Sequence, residues 1–131
     1  MAQNVTAGAK FSKSKRLLRH SDFQRVYQSG RRQFTGNMTV FFLRRDSTEG
    51  GTGIRVGFTV GKVLGGAVER NRIRRRLREA VRLSWPVREN PVDVVLNPRK
   101  SVLTLPFGKL AGEVERALRM AAERTRMAEK Q

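Results

Sequence analysis

Between Gly57 and Ser84 the chain reads as a strand, a glycine-rich turn and an arginine helix, and the rest must pack around that unit. Ile73, Leu77, Ala80, Val81 and Ser84 recur at helical offsets, so at about 100° per residue they form one narrow apolar-to-small stripe that can be buried. Arg70, Arg74, Arg78 and Arg82 run along the same cylinder at four-residue steps. They are flanked by Asn71 and Arg75 on one side and by Arg72 and Arg76 on the other. Seven arginines fall between positions 70 and 82, with Glu79 the one acid among them. Like charges four residues apart repel by about 0.2–0.5 kcal/mol per pair, so the helix is weaker alone than one with mixed charges. Guanidinium is planar, permanently charged and forked, which suits phosphate oxygens. A nucleic acid is therefore the expected counterpart, against the plainer reading of a solvated basic face.

The totals bound the remaining choices. A chain of 131 residues supports one domain with a real core. Twenty-eight Lys plus Arg against eleven Asp plus Glu give a net charge of +17, which repels itself unless an anion neutralises it. No apolar run approaches the length needed to span a bilayer, and the helices carry Arg instead of a broad apolar face, so a membrane partner is not expected. With no cysteine, disulfides, thiol chemistry and zinc knuckles are excluded. His20 stands alone and reads as a surface or capping residue. The N-terminal segment lacks an apolar stretch of the secretory kind, and the expectation is a cytoplasmic protein.

Taken in order, residues 1–15 are small and polar with scattered Lys and read as a flexible basic arm. Residues 16–126 are expected to form a single domain, the RNA-binding one if the polyanion is RNA, and 127–131 a charged tail. Ser21 or Asp22 is placed to cap a short helix, Asp22 to Gln28, with Phe23, Val26 and Tyr27 on one face before Ser29-Gly30 stops it. On composition, Phe23 and Tyr27 read as core. Met38 to Arg45 is a strand by propensity, with Phe41 and Phe42 on opposite faces; the one not in the core could stack on a base. Asp46 to Gly53 reads as a flexible hairpin loop. Ile54, Val56, Phe58 and Val60 alternate with Arg55, Gly57 and Thr59, and this strand is expected to pair antiparallel with the previous one.

Gly61, Gly65 and Gly66 let the chain turn around Lys62, and Gly66 can cap the arginine helix, whose free N–H groups would add to Lys62 in holding a phosphate. Trp85-Pro86 ends that helix. Pro91 to Asn97 gives a nearly continuous apolar strand, placed inside the sheet and joined to its predecessor by a parallel crossover, right-handed by default. Pro106 opens a last helix through about Arg126, with Leu110, Val114, Ala117, Leu118 and Ala121 as its buried stripe. The order helix, strand, strand, helix, strand, helix predicts an α/β (α+β) two-layer sandwich around a mixed sheet, with part of one sheet face left for a ligand.

These residues resemble the bacterial ribonuclease P protein subunit. The resemblance rests on Arg16-Leu17 with Asp22-Phe23 to Tyr27, on the strand with Phe41, and on Val56-Gly57-Phe58-Thr59-Val60 running into Lys62, Gly65, Ala67-Val68 and Arg70-Asn71-Arg72-Ile73-Arg74-Arg75. It closes on Asp93-Val94-Val95, and spans roughly Arg16 to Arg99. It implies a protein that joins one large catalytic RNA and assists removal of the 5′ leader from precursor tRNA, with Mg²⁺ held mainly by the RNA and no obligate protein partner. It implies that Lys62, Arg70, Asn71, Arg72, Arg74, Arg75 and Arg78 touch the catalytic RNA. Arg16, Phe23, Tyr27 and Phe41 would line the leader cleft, which displaces the core reading of Phe23 and Tyr27. It also implies a left-handed crossover in place of the default. Val63 and Gly66 depart from the family pattern, where a basic and a polar residue are common. No Ser/His/Asp set or paired carboxylates suggest a catalytic side chain on this chain. The rival reading is a structural RNA-binding protein such as a ribosomal component.

Overall fold

A computed structural model describes residues 16, 19–46, 53–85 and 91–129. Its elements are α1 (His20–Ser29), β1 (Arg31–Phe34), β2 (Met38–Arg44), β3 (Ile54–Phe58), α2 (Ala67–Leu83), β4 (Val92–Pro98) and α3 (Phe107–Glu129), with short 3-10 turns at Lys62–Leu64 and Lys100–Leu103. The arm expected over 1–15, most of the loop over 46–53 and the end of the tail lie outside the described residues.

The four strands form one sheet in the order β1-β2-β4-β3. β1 is antiparallel to β2 and β2 to β4, whereas β3 runs parallel to β4. The expected antiparallel pairing of β2 with β3 is therefore wrong: β4 lies between them. Its burial explains this, because all of Val92 to Leu96 is buried, and a strand apolar on both faces gains most when it has a neighbour on each edge. The parallel β3-α2-β4 unit is as expected. β1 went unforeseen, since Arg31, Arg32, Gln33 and Phe34 are all exposed and carry no alternating pattern.

Strand alternation sorts the two faces. Met38, Val40, Phe42, Ile54, Val56, Val92, Val94 and Leu96 join Ile73, Leu77, Ala80 and Val81 of α2 and Leu110, Val114, Ala117, Leu118 and Ala121 of α3 in one core. Each fully buried Val, Leu, Ile, Met or Phe side chain there contributes about 1.5–3 kcal/mol. On the other face Val95, Phe41 and Leu43 meet Val26 and Phe23 of α1 in a smaller cluster. The α+β sandwich is thus as the sequence predicts, with α2 and α3 on one face and α1 across part of the other. Phe41 and Phe42 point to opposite faces, as a strand demands.

Helix termini follow local chemistry. The N-cap of α1 is Arg19, not Ser21 or Asp22, and it makes no side-chain capping bond. Asp22 lies in the first turn, near the positive end of the helix dipole, and binds Arg25. Gly30 ends α1 where its Cα passes the carbonyls of Val26 and Phe42 too closely to admit a Cβ. Gly66 caps α2 as expected. At the far end Ser84 donates its hydroxyl to the Ala111 carbonyl of α3 at 3.0 Å, tying the two helices together.

Candidate nucleic-acid interface

The β3–α2 turn is built by backbone freedom. Gly65 has φ +128°, and a Cβ there would sit 2.5 Å from Glu69 Oε1, so only glycine fits. Glu69 reaches back to accept the Gly66 N–H at 2.8 Å, and Arg70 Nε donates to the Gly65 carbonyl at 3.2 Å. The turn is thereby held on both sides. Lys62 is exposed at its outer edge, beside a helix N-terminus whose N-cap, Gly66, has no side chain of its own and whose Gly66 N–H is taken by Glu69.

Along α2 the arginines divide by what they touch. Arg70 and Arg74 flank the apolar stripe, are half-buried, and are engaged locally, Arg74 donating to Asn71 Oδ1 at 2.9 Å. Arg76 turns inward and donates to the carbonyls of Leu103 (2.9 Å) and Leu105, which makes it a structural residue. Arg82 pairs with Glu79 at 2.5 Å, and this hydrogen bond holds the Glu79 carboxyl below its usual range. Arg72, Arg75 and Arg78 are exposed and make no hydrogen bond or ion pair among the described residues. With Asn71 they span the solvent side of the helix, and the three arginines form a row of free forks suited to successive phosphates.

The second surface lies on the opposite sheet face. Tyr27 and Phe41 meet edge to face with centroids 4.8 Å apart and planes at 86°. The Tyr27 hydroxyl donates to Asn97 Oδ1 at 3.0 Å and accepts from the Thr59 hydroxyl, so both rings are oriented by β4 and by the residue following β3. Phe23 packs beside them, half-buried. Arg16 is half-buried and bridges Val56 in parallel, along the edge of β3 that β4 leaves open. Thr59 leads directly to the Lys62 turn, so one short segment joins the aromatic cleft to the arginine helix.

A charge network that sequence reasoning missed pins α1 over this face. Asp93, fully buried, accepts from Arg45 Nη1 (2.7 Å) and from Arg55 Nε and Nη2 (both 2.9 Å). Arg25 binds Asp22 at 2.9 Å and approaches Asp93 at 3.6 Å, while Arg55 lies 3.9 Å from Asp22. Two acids distant in sequence thus converge among three guanidinia. Its one sequence signal is an aspartate inside the apolar run Val92-Asp93-Val94-Val95.

With both acids committed to arginines, this cluster does not fit a resident divalent cation. Among the described residues no three His, Cys, Asp or Glu come together as a ligand set. No described helix is long and apolar enough to cross a membrane. The arrangement can hold phosphates on α2 and unstacked bases at Tyr27 and Phe41.

Comparison with known proteins gives a consistent relationship. The family described as Ribonuclease P matches residues 11–122. The ribonuclease P protein component of Ruegeria pomeroyi is 47% identical over 105 residues, covering 79% of this chain and 82% of that protein. That of Symbiobacterium thermophilum is 43% identical over 103 residues, covering 79% and 87%. Among solved structures, the RNase P protein of Staphylococcus aureus superposes with a TM-score of 0.67 at 25% identity, covering 82% of this chain and 94% of that one. The Thermotoga maritima RNase P protein gives 0.66 at 25% identity, covering 79% and 94%.

Proposed function

Because the chain belongs to the ribonuclease P protein family, we propose that it is the protein cofactor of an RNA-based endonuclease that removes the 5′ leader of precursor tRNA. The observation that carries this reading is the set of three uncommitted guanidinia, Arg72, Arg75 and Arg78, on one helix of a chain with net charge +17. The exposed side of α2, with Lys62 at its head, docks on the catalytic RNA. Arg70 and Arg74 lend that side charge, and Asn71 holds the Arg74 guanidinium in place. The leader lies between α1 and the sheet, its bases against Phe23, Tyr27 and Phe41, with Arg16 near a phosphate.

The chain's own residues bind and orient. Positive charge beside the cleavage site lowers the repulsion that two RNA strands meet on approach, and gripping the leader fixes the register of the scissile bond. Magnesium, which supplies metal-assisted phosphodiester cleavage when bound, is assigned to the RNA, since the two acids that converge here, Asp22 and Asp93, are taken by arginines. The pure chain, mixed with the catalytic RNA of its own organism, is expected to support precursor tRNA cleavage at magnesium concentrations where the RNA alone is slow. Absence of stimulation would sink the reading and favour a purely structural RNA-binding protein. Cleavage that persists after exhaustive removal of RNA would place the catalyst on the protein.

A further inference from the structure

We propose that Phe34 and Arg32 on edge strand β1 form a second stacking platform that extends the leader cleft and holds a nucleotide beyond the one at Tyr27 and Phe41. The inference rests on the reading of α1 and the sheet as the leader site. Its geometry comes from register: Arg32 lies opposite Phe41, and Phe34 opposite Thr39. Directly opposed residues share a sheet face, so both project to the side that carries Phe41 and α1, not to the α2–α3 core.

Phe34 belongs to neither buried cluster of the sheet, although it borders a pocket shared with Glu113, Arg116, Ala117 and Met120 of α3. It is 57% exposed, in a strand whose four residues are all exposed, and the Arg32 guanidinium lies 5.3 Å from its ring centroid. A guanidinium over a half-open ring presents a cation for phosphate beside a π-face for a base, the pairing used by proteins that bind single strands. Phe34 sits one strand across and two residues along from Phe41, about 8 Å by strand geometry, a step that one splayed nucleotide spans. Charge selects the occupant. A second copy pairing along β1 would bring Arg31 and Arg32 against like charges on a chain of +17, whereas a single-stranded polyanion neutralises them.

The test uses the full chain reconstituted with its catalytic RNA and precursor tRNAs bearing a graded series of leader lengths. The readout is the ratio of affinities for long-leader and short-leader substrates. Phe34→Ala is expected to reduce that ratio about tenfold, Phe34→Leu to do the same, and Phe34→Trp to preserve it. Arg32→Ala is expected to lower the log–log salt slope for long leaders by about 0.7. Unchanged melting temperatures would separate the effect from misfolding, and Phe34→Leu keeps the strand apolar. A length dependence that is present in the wild type and untouched by Phe34→Ala overturns the platform alone. If affinity does not rise with leader length even in the wild type, and Phe41→Ala changes nothing, the cleft reading and the platform fall together. Competition by poly-glutamate as effective as that by single-stranded RNA, and lost with Phe34→Ala, assigns the site to an acidic protein segment and overturns the RNA assignment.

Discussion

Asp93 occupies the middle of the sheet with no exposed surface, and its two oxygens are shared by Arg45 and Arg55 with Arg25 close by. Burying one carboxylate is tolerable here because each oxygen accepts a charge-assisted bond. Asp93→Ala would strip Arg45 and Arg55 of the buried carboxylate they share, and we expect it to cost about 3–5 kcal/mol in denaturant unfolding. A loss under 1 kcal/mol would show that water replaces the carboxylate. Glu113 on α3 makes the matching anchor at the β1–β2 hairpin, accepting from the Asn37 N–H and Nδ2 (both 2.8 Å) and from the Thr35 hydroxyl. Burial pushes its carboxyl up, but the bonds from Asn37 and Thr35, with Arg116 nearby, outweigh this and hold it below the usual range. A lowered folded-state value stabilises above the unfolded value and is lost as pH falls through the folded one. The gap in melting temperature between wild type and Glu113→Gln should therefore be widest at neutral pH and close on acidification. A gap that stays constant would count against the assignment.

At the scale of elements, α2 shows how one residue type serves two purposes on one cylinder. The stripe Ile73, Leu77, Ala80, Val81 was legible from spacing alone and is buried as expected. Which arginines are free was not legible, because that depends on what lies across from each. Arg76 meets the carbonyls of Leu103, in the 3-10 turn after β4, and of Leu105 just beyond it, residues distant in sequence. Arg76→Ala should destabilise by about 1.5–3 kcal/mol, the range for hydrogen bonds to a charged group. Arg75→Ala should leave stability within about 0.5 kcal/mol and instead remove close to one unit, about 0.7–0.9, of salt slope in RNA binding. Thermal melts and salt-dependent titrations on the two variants separate the roles; equal effects would erase the distinction.

For the whole molecule, charge is the controlling quantity. A net charge of +17 on 131 residues opposes compaction, and the free guanidinia of α2 concentrate that cost on one face. Sulfate or phosphate should raise the melting temperature above that in chloride at matched ionic strength, because the anions bind the folded face more than the unfolded chain. Replacing Arg72, Arg75 and Arg78 together with Ala should shrink this anion effect and raise the magnesium needed for cleavage by the reconstituted complex. Unchanged magnesium dependence would remove the helix from the RNA interface.

The sequence by itself determined the arginine helix with its buried stripe, the glycine turn before it, the parallel crossover to an apolar strand, and the basic character that calls for a polyanion. Each of these follows from periodicity or composition within one segment, where neighbours in the chain are neighbours in space. Tertiary structure alone decided that β4 separates β2 from β3, that β1 exists, that Asp22 and Asp93 share three arginines, and that Arg76 faces inward. Strand order is a competition between edges settled by total burial, and an ion pair between distant residues leaves no period to read. The exposed ring of Phe34 belongs to this second kind: its neighbourhood with Phe41 is fixed by the β1–β2 register.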